Sequence, residues 1–330
     1  MLKAQYERRG PVPQDVISAV EFDAPVLAAG QVLVEVLAAP INPSDVLTLT
    51  GEYGMLPPLP AVGGNEGVGR IAEKGLDAGA LPVGQTVLLP VGIGTWASHV
   101  VADGNRLVPL PNEADPLQLS MVTVNPPTAS LMLSEFVDLA AGEWVIQNAA
   151  NSGVGGYLIQ IAKSRGLKTV NVVRRESAVA SLDGSGADVV IVDGDDLAKR
   201  VAEATGRAKI RLGIDAVAGK ATGRLSECLA EGGVLVNYGA MTGEPCVVAP
   251  RALVFRDVTL RGFWLAKWFR NSTPVQQMAL YGELTQRIAS GELRARIGAT
   301  YDVASIKDAV AAAARGERDG KILVVPKHPS

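Results

Sequence analysis

The sequence predicts an α/β fold in which a β-rich part precedes a doubly wound parallel sheet. Three observations carry this expectation. Residues 1 to about 117 read as short strands broken by Gly and Pro. From about residue 118 the chain alternates short apolar strands with amphipathic helices, the rhythm of a parallel sheet with helices on both faces. Within that alternation, Gln147-Asn148-Ala149-Ala150-Asn151-Ser152-Gly153-Val154-Gly155-Gly156 follows an apolar strand and opens a helix, the context of a nucleotide-binding turn.

In the first part, residues 31–37 are β-rich and partly alternating, and 68–72 and 86–89 are similar short segments. Pro57-Pro58-Leu59-Pro60 and Gly63-Gly64 mark a loop-rich stretch between them. Residues 117–139 carry helical periodicity interrupted around Pro126-Pro127. Strands follow at 144–148, Lys168–Val173, Val189–Val192, 210–217 and 233–238. The helix expected over 153–166 places Leu158, Ile161 and Ala162 on one face. The tail reads as a helix (274–290), a strand (295–301), a helix (303–315) and a closing strand (321–325). These rhythms divide the chain into 1–117, 118–264 and 265–330.

Composition narrows the function. With 31 Lys+Arg against 34 Asp+Glu and no like-charge block, nothing supports nucleic-acid binding. Two cysteines, Cys228 and Cys246, make neither a disulfide framework nor a four-thiolate zinc site. The only histidines are His99 and His328. His99 lies in an apolar run and reads as a strand residue with a local hydrogen bond, so no metal site is expected. No signal peptide and no membrane span are visible, and the expected compartment is the cytoplasm.

The nucleotide turn gains meaning from the strand beyond its helix. Small residues at 149–156 let a backbone approach a pyrophosphate, and a helix N-terminus favours anions. Arg174 and Arg175 end the second strand, Arg174 standing 21 residues after Gly153. An acid here serves the ribose hydroxyls of NAD, whereas arginine suits the 2′-phosphate of NADPH. Glu176 follows directly. Tyr238, Gly239 and Met241 follow the fifth strand, where ligands gather in open α/β sheets. Phe263, Trp264 and Leu265 lie in an aromatic run, and Lys321 near the chain end is a further phosphate candidate.

Together these motifs resemble the medium-chain dehydrogenase/reductase superfamily over nearly the full length. The similarity is strongest to the branch of mitochondrial 2-enoyl thioester reductases, with quinone oxidoreductases close by. It is carried by Ile41-Asn42-Pro43-Ser44-Asp45, Gly51-Glu52-Tyr53-Gly54, and Pro60-Ala61-Val62-Gly63-Gly64-Asn65-Glu66-Gly67-Val68-Gly69. The turn at 147–156, Asn171-Val172-Val173-Arg174 and Gly262-Phe263-Trp264-Leu265 complete the set. The resemblance implies a GroES-like catalytic domain, formed by the N-terminal part and the tail, with a Rossmann domain inserted. It also implies a homodimer joined through the cofactor domains. Zinc enzymes of the superfamily have a Cys ligand near Ser44 and a Gly-His-Glu motif where this chain has Gly64-Asn65-Glu66. The resemblance therefore implies a zinc-free site that works through hydrogen bonds.

By the same resemblance Tyr53 is the proton donor, or the hydrogen-bond donor to the substrate carbonyl, and Asn42 positions nicotinamide or substrate. The cofactor positions are Asn148, Asn151, Ser152, Gly153, Val154, Arg174, Arg175, Tyr238, Gly239, Met241, Phe263, Trp264, Leu265 and Lys321. Two departures stand out: the segment 175–187 is short, and Ala240 replaces a usual Gly. The implied activity is NADPH-dependent reduction of the C=C bond of a 2-enoyl thioester, with Lys267 and Arg270 as candidate basic groups for its carrier. A quinone or enone reductase is the alternative, and a non-enzymatic NADPH-binding protein the third reading.

Overall fold

Strands buried on both faces of a parallel sheet need apolar side chains on both sides, and the runs expected at 144–238 meet that need. In the computed structural model, which describes residues 1–316 and 320–327, these runs align as one sheet. The chain packs as two compact units, Asn125–Leu280 and Met1–Val124 with Tyr281–Ser330.

The first of these units carries six parallel strands: Trp144–Gln147, Lys168–Val173, Val189–Val192, Leu212–Asp215, Val234–Asn237 and Thr259–Gly262. Numbered within the sheet, their order is 3-2-1-4-5-6, that of a dinucleotide-binding sheet. Its core joins Ile146, Val170, Val172, Leu225 and Leu235. The sixth strand escaped the sequence reading because all four of its residues are exposed. Between strands 2 and 3 the short segment 175–187 forms only two 3₁₀ turns, Glu176–Ala178 and Ala180–Leu182.

Pro126 and Pro127 do not interrupt a helix. They lie in the first turn of the buried helix Asn125–Met132. A proline there loses no intrahelical hydrogen bond, because first-turn N–H groups have no partner inside the helix.

The other unit holds a three-stranded sheet and a seven-stranded sheet. The long strand Gln31–Pro40 organises the larger sheet, pairing with Val68–Lys74, His99–Asp103 and Lys321–Val324. The tail thus returns to the N-terminal part, with Ile297–Tyr301 parallel to the closing strand. Trp96 is fully buried and donates from Nε1 to the Pro40 carbonyl at 3.2 Å. This indole explains Gly63: a Cβ there would sit 2.3 Å from the ring. His99 begins its strand, with Nδ1 3.1 Å from Ser98 Oγ. His328 lies outside the described residues.

The unit boundaries differ from the 117/118 and 264/265 read from rhythm. Gln118 exchanges two hydrogen bonds with the backbone of Ala295 (3.0 and 2.8 Å). The Thr123 carbonyl accepts from Tyr281 Oη at 3.0 Å. These bonds tie 118–124 to the unit of the N-terminal part. Residues 265–280 belong to the parallel-sheet unit, where Gln277 Nε2 donates to the Phe269 carbonyl at 3.0 Å.

Candidate active site

In the parallel-sheet unit the cofactor candidates lie on the loops that leave the carboxyl ends of the strands. Ser152 caps the helix Gly153–Ser164, its Oγ accepting from Gly155 N–H at 3.1 Å and its carbonyl from Gly156 N–H at 2.9 Å. The N–H groups of Gly153 and Val154 have no acceptor within the helix, which suits this terminus to an anion. Gly155 is required, since a Cβ would meet the Ala150 carbonyl oxygen at 2.5 Å. Ala149 takes φ +47°, which turns the chain sharply out of the strand. Asn151 is exposed beside this turn.

Asn148 is buried, and both ends of its amide are engaged. Nδ2 donates to Asp215 Oδ1 at 2.6 Å and Oδ1 accepts from Ala216 N–H at 2.8 Å. It thereby joins the ends of strands 1 and 4, where the strand order reverses and ligands bind in such sheets. Asp215 was not singled out in the sequence, yet it organises this crevice. Its carboxylate also accepts from Val217 N–H (3.0 Å), Ala218 N–H (3.2 Å), Thr222 Oγ1 (2.7 Å) and Asn237 Nδ2 (3.0 Å). An acid ending the apolar run Gly213-Ile214-Asp215 was the available signal.

Tyr238 follows strand 5, and its hydroxyl bonds Ser152; burial raises its pKa above the ordinary phenol value. Asn237 Nδ2 donates to the Gly239 carbonyl at 2.8 Å, and Met241 is 55% exposed. Phe263 packs edge-to-face on Phe136 at 6.1 Å. Trp264 precedes the helix Leu265–Asn271 and lies under the Arg270 guanidinium at 4.9 Å. Arg174 is exposed just beyond strand 2, and Arg175 precedes the first 3₁₀ turn. A dinucleotide fits this donor set: a helix N-terminus with small residues, then arginines where strand 2 ends.

Tyr53 belongs to the other unit. It follows the helix Pro43–Thr50, which ends at Gly51 with φ +91°. The Leu47 carbonyl accepts from the N–H groups of Gly51 (3.0 Å), Glu52 (2.9 Å) and Tyr53 (3.2 Å). The backbone of Tyr53 is therefore fixed to the helix end, while its side chain stays half-exposed.

The N-terminus of the same helix is rooted in a buried polar cluster. Asn42 donates from its backbone to Asp45 Oδ2 at 2.7 Å and from Nδ2 to Glu66 Oε1 at 2.6 Å. Its Oδ1 accepts from Lys321 Nζ. Asn65 Nδ2 donates to Asp45 Oδ1 at 2.6 Å, and Thr123 N–H to Glu66 Oε2 at 3.1 Å. Glu66 is 0% exposed, Asp45 3% and Lys321 5%, so three ionisable groups share a space closed to water. Burial pushes Asp45 up to about 6, against the Asn42 N–H, Lys321 and Asn65. Burial likewise pushes Glu66 up to about 7, opposed by Lys321 and Asn42 and reinforced by Asp45.

Lys321 is thus not a solvated lysine before a strand; it is the counter-ion of this cluster. Asp45 and Glu66 were visible only as letters of a motif. Among the described residues no group of three His, Cys, Asp or Glu stands together to hold a metal ion.

A parallel nucleotide-binding sheet together with a unit of this β-rich form defines the architecture of the medium-chain dehydrogenases and reductases. Two family models match: the alcohol dehydrogenase GroES-like domain over residues 28–112 and the zinc-binding dehydrogenase over 153–280. The chain is 39% identical to the mitochondrial enoyl-[acyl-carrier-protein] reductase of Rattus norvegicus, over 86% of this chain and 78% of that one. The Homo sapiens protein of the same name is 38% identical, with the same coverage. Among solved structures, the mitochondrial 2-enoyl thioester reductase Etr1p/Etr2p heterodimer of Candida tropicalis superposes with a TM-score of 0.85 at 26% identity, covering 98% of this chain and 99% of that one. A Bacillus thuringiensis protein described as an NADPH:quinone reductase superposes at 0.88, also at 26% identity, covering 99% of both. The chain belongs to the enoyl thioester reductase type of the medium-chain dehydrogenase/reductase superfamily, a family of oxidoreductases.

Proposed function

We propose that this protein reduces the C=C bond of a 2-enoyl thioester with NADPH and without zinc. The observation that carries the reading is Tyr53, a phenol held by its backbone at a helix end within a chain so similar to enoyl reductases. A related solved structure is the Etr1p complex with NADP and crotonyl-CoA. NADPH, when bound, supplies a hydride to Cβ. The residues that would hold it are those at 148–154, Arg174 and Arg175, Tyr238, Gly239 and Met241, and Phe263–Leu265, all in the parallel-sheet unit; Asn42 and Lys321 have their polar groups committed to the buried cluster instead. As negative charge grows on the thioester oxygen, the Tyr53 O–H would donate a hydrogen bond to it and keep its proton, and solvent water would supply the proton to Cα. Asn65 stands where zinc enzymes of the superfamily have histidine, and Lys321 sets one positive charge beside the Asp45 and Glu66 carboxylates.

The test is NADPH oxidation with crotonyl-CoA, run beside NADH and a simple quinone. Turnover of crotonyl-CoA with NADPH supports the reading. Turnover of the quinone alone overturns it in favour of a quinone or enone reductase, which the likeness to the Bacillus thuringiensis protein favours second. Tight NADPH binding without turnover of either would favour a non-enzymatic role.

Cofactor choice rests on Arg174. Arg174→Ala is expected to weaken NADPH binding by about 10- to 100-fold, the worth of charge-assisted hydrogen bonds to a phosphate. NADH binding should change by less than about threefold, since it lacks that group; fluorescence titration of both cofactors checks this.

We further propose a homodimer through the sixth strand, Thr259–Gly262. This edge is fully exposed and is flanked by Val254 and Phe255, 70% and 80% exposed. An uncovered edge is a template for a second copy, and a two-fold axis makes the pairing self-complementary. Thr259 N–H donates inward to the Gly233 carbonyl, so by strand alternation Leu260 N–H faces the open edge. Leu260→Pro is therefore expected to halve the solution mass while keeping the inner ladder; light scattering would show it. No helix among the described residues is long and apolar enough to cross a membrane. The cytoplasm remains our proposed compartment, although the relatives are mitochondrial by name.

A further inference from the structure

The Tyr53 loop is fixed at its start by the helix end. Residues 54–60 then run as an exposed stretch of bends and coil before the strand Ala61–Val62. A reacting hydroxyl is useful only if its loop meets the reacting oxygen with precision.

Arg9 supplies contacts at two points along this segment, and its neighbour Gly10 a third. The next residue, Gly10, donates its N–H to the Leu49 carbonyl at 3.2 Å, binding the Arg9 backbone to the last turn of the helix. The aliphatic stem crosses Gly51 so closely that a Cβ on that glycine would lie 3.3 Å from Arg9 Cδ. The guanidinium end donates from Nη2 to the Pro57 carbonyl, 48 residues away. The Arg9 side chain thus touches the loop before Tyr53, at Gly51, and after it, at Pro57. The Nε–H of Arg9 is buried and has no acceptor in the structure. Burying an unpaired donor costs stability, so holding a guanidinium here needs a return in position or function.

We infer that Arg9 is a positioning residue for the reaction, holding the 51–57 loop so that the Tyr53 hydroxyl stays in its working place. The inference rests on the reading of Tyr53 as the donor to the substrate. Arg9 itself touches neither substrate nor cofactor in this scheme. It acts through Gly51 and Pro57. Lysine is a poor replacement, because an ammonium lacks the planar fork and the reach of a guanidinium. Methionine keeps an apolar stem over Gly51 and removes the donor to Pro57.

The experiment compares Arg9→Met and Arg9→Lys in the parent and in a Tyr53→Phe background, with crotonyl-CoA and NADPH. In the parent, Arg9→Met is expected to lower kcat about tenfold with NADPH affinity unchanged, the scale of a modest misplacement of a reacting group. In the Tyr53→Phe background the same change should cost almost nothing further, since the group it positions is gone. Hydrogen exchange of the peptide spanning 52–57 should quicken about tenfold in Arg9→Met, with the parallel-sheet unit unaffected. An equal loss of kcat in both backgrounds would overturn the inference, as would unchanged exchange at 52–57. A silent Tyr53→Phe variant would instead sink the reading of Tyr53, and the exchange data would still decide whether Arg9 anchors the loop.

Discussion

Replacing Tyr53 by Phe is expected to lower kcat for crotonyl-CoA reduction by about 100-fold or more, the usual worth of one hydrogen-bond donor to a developing oxyanion. Phenylalanine keeps the ring and its packing and removes one O–H. The backbone bonds from 51–53 to the Leu47 carbonyl do not involve the side chain, so the loop is retained. NADPH affinity should not move, because the O–H is assigned to the substrate oxygen and not to the cofactor. The loss should appear in kcat more than in KM, because a donor to a developing oxyanion matters most in the transition state. A rise in KM at constant kcat would make Tyr53 a binding group only. A change below about threefold in kcat/KM would remove it from the mechanism.

The second large effect is on stability. Lys321→Met is expected to cost about 3–5 kcal/mol, because it strands two buried carboxylates without their counter-ion. Lys321→Arg should cost less, since it keeps the charge. Urea unfolding would measure both. The sign of the pH dependence follows from the raised acids. Asp45 rises from 3.8 to about 6 and Glu66 from 4.5 to about 7, so between these limits the folded chain binds more protons than the unfolded one. Stability is then greatest below the ordinary carboxylate range and falls as pH rises through about 6 to 7. Glu66→Gln should flatten the upper part of that slope. Lys321→Met should steepen it and carry it to higher pH, because the loss of the ammonium raises both acids further. A slope of the opposite sign would mean that the two carboxylates are ionised more easily in the folded chain than out of it.

Much of the plan was legible along the chain. Strands at Lys168–Val173 and Val189–Val192 stand where apolar runs put them, and the helix Gly153–Ser164 follows the small-residue turn as expected. The strand Thr259–Gly262 was not legible, because an edge strand with four exposed residues has no apolar signature. Pro126 and Pro127 misled for a related reason: a proline marks a helix start as readily as a break, and only the hydrogen-bond pattern tells which. In the candidate site, the turn at 148–154 and the arginines after strand 2 could be placed from the sequence because their local structure depends on near neighbours. Asp215 was not, although five donors converge on it, since they arrive from the loops after strands 1 and 4, the helix Gly219–Cys228 and the end of strand 5.

The sequence by itself determined the two-part α/β plan, the strand–turn–helix at 144–164 and the basic pair after strand 2, while the tyrosine loop drew its meaning from the resemblance alone. Periodicity and turn chemistry are local, so they survive in a linear reading. Only the tertiary structure decided the company of Asn42, Asp45, Glu66 and Lys321. Lys321 is 279 residues from the Asn42 amide it meets, and no local pattern records that approach. Whether a lysine is a solvated surface group or a buried counter-ion depends on the loss of water around it. That loss is set by every element packed nearby, and the charges then settle their protonation together.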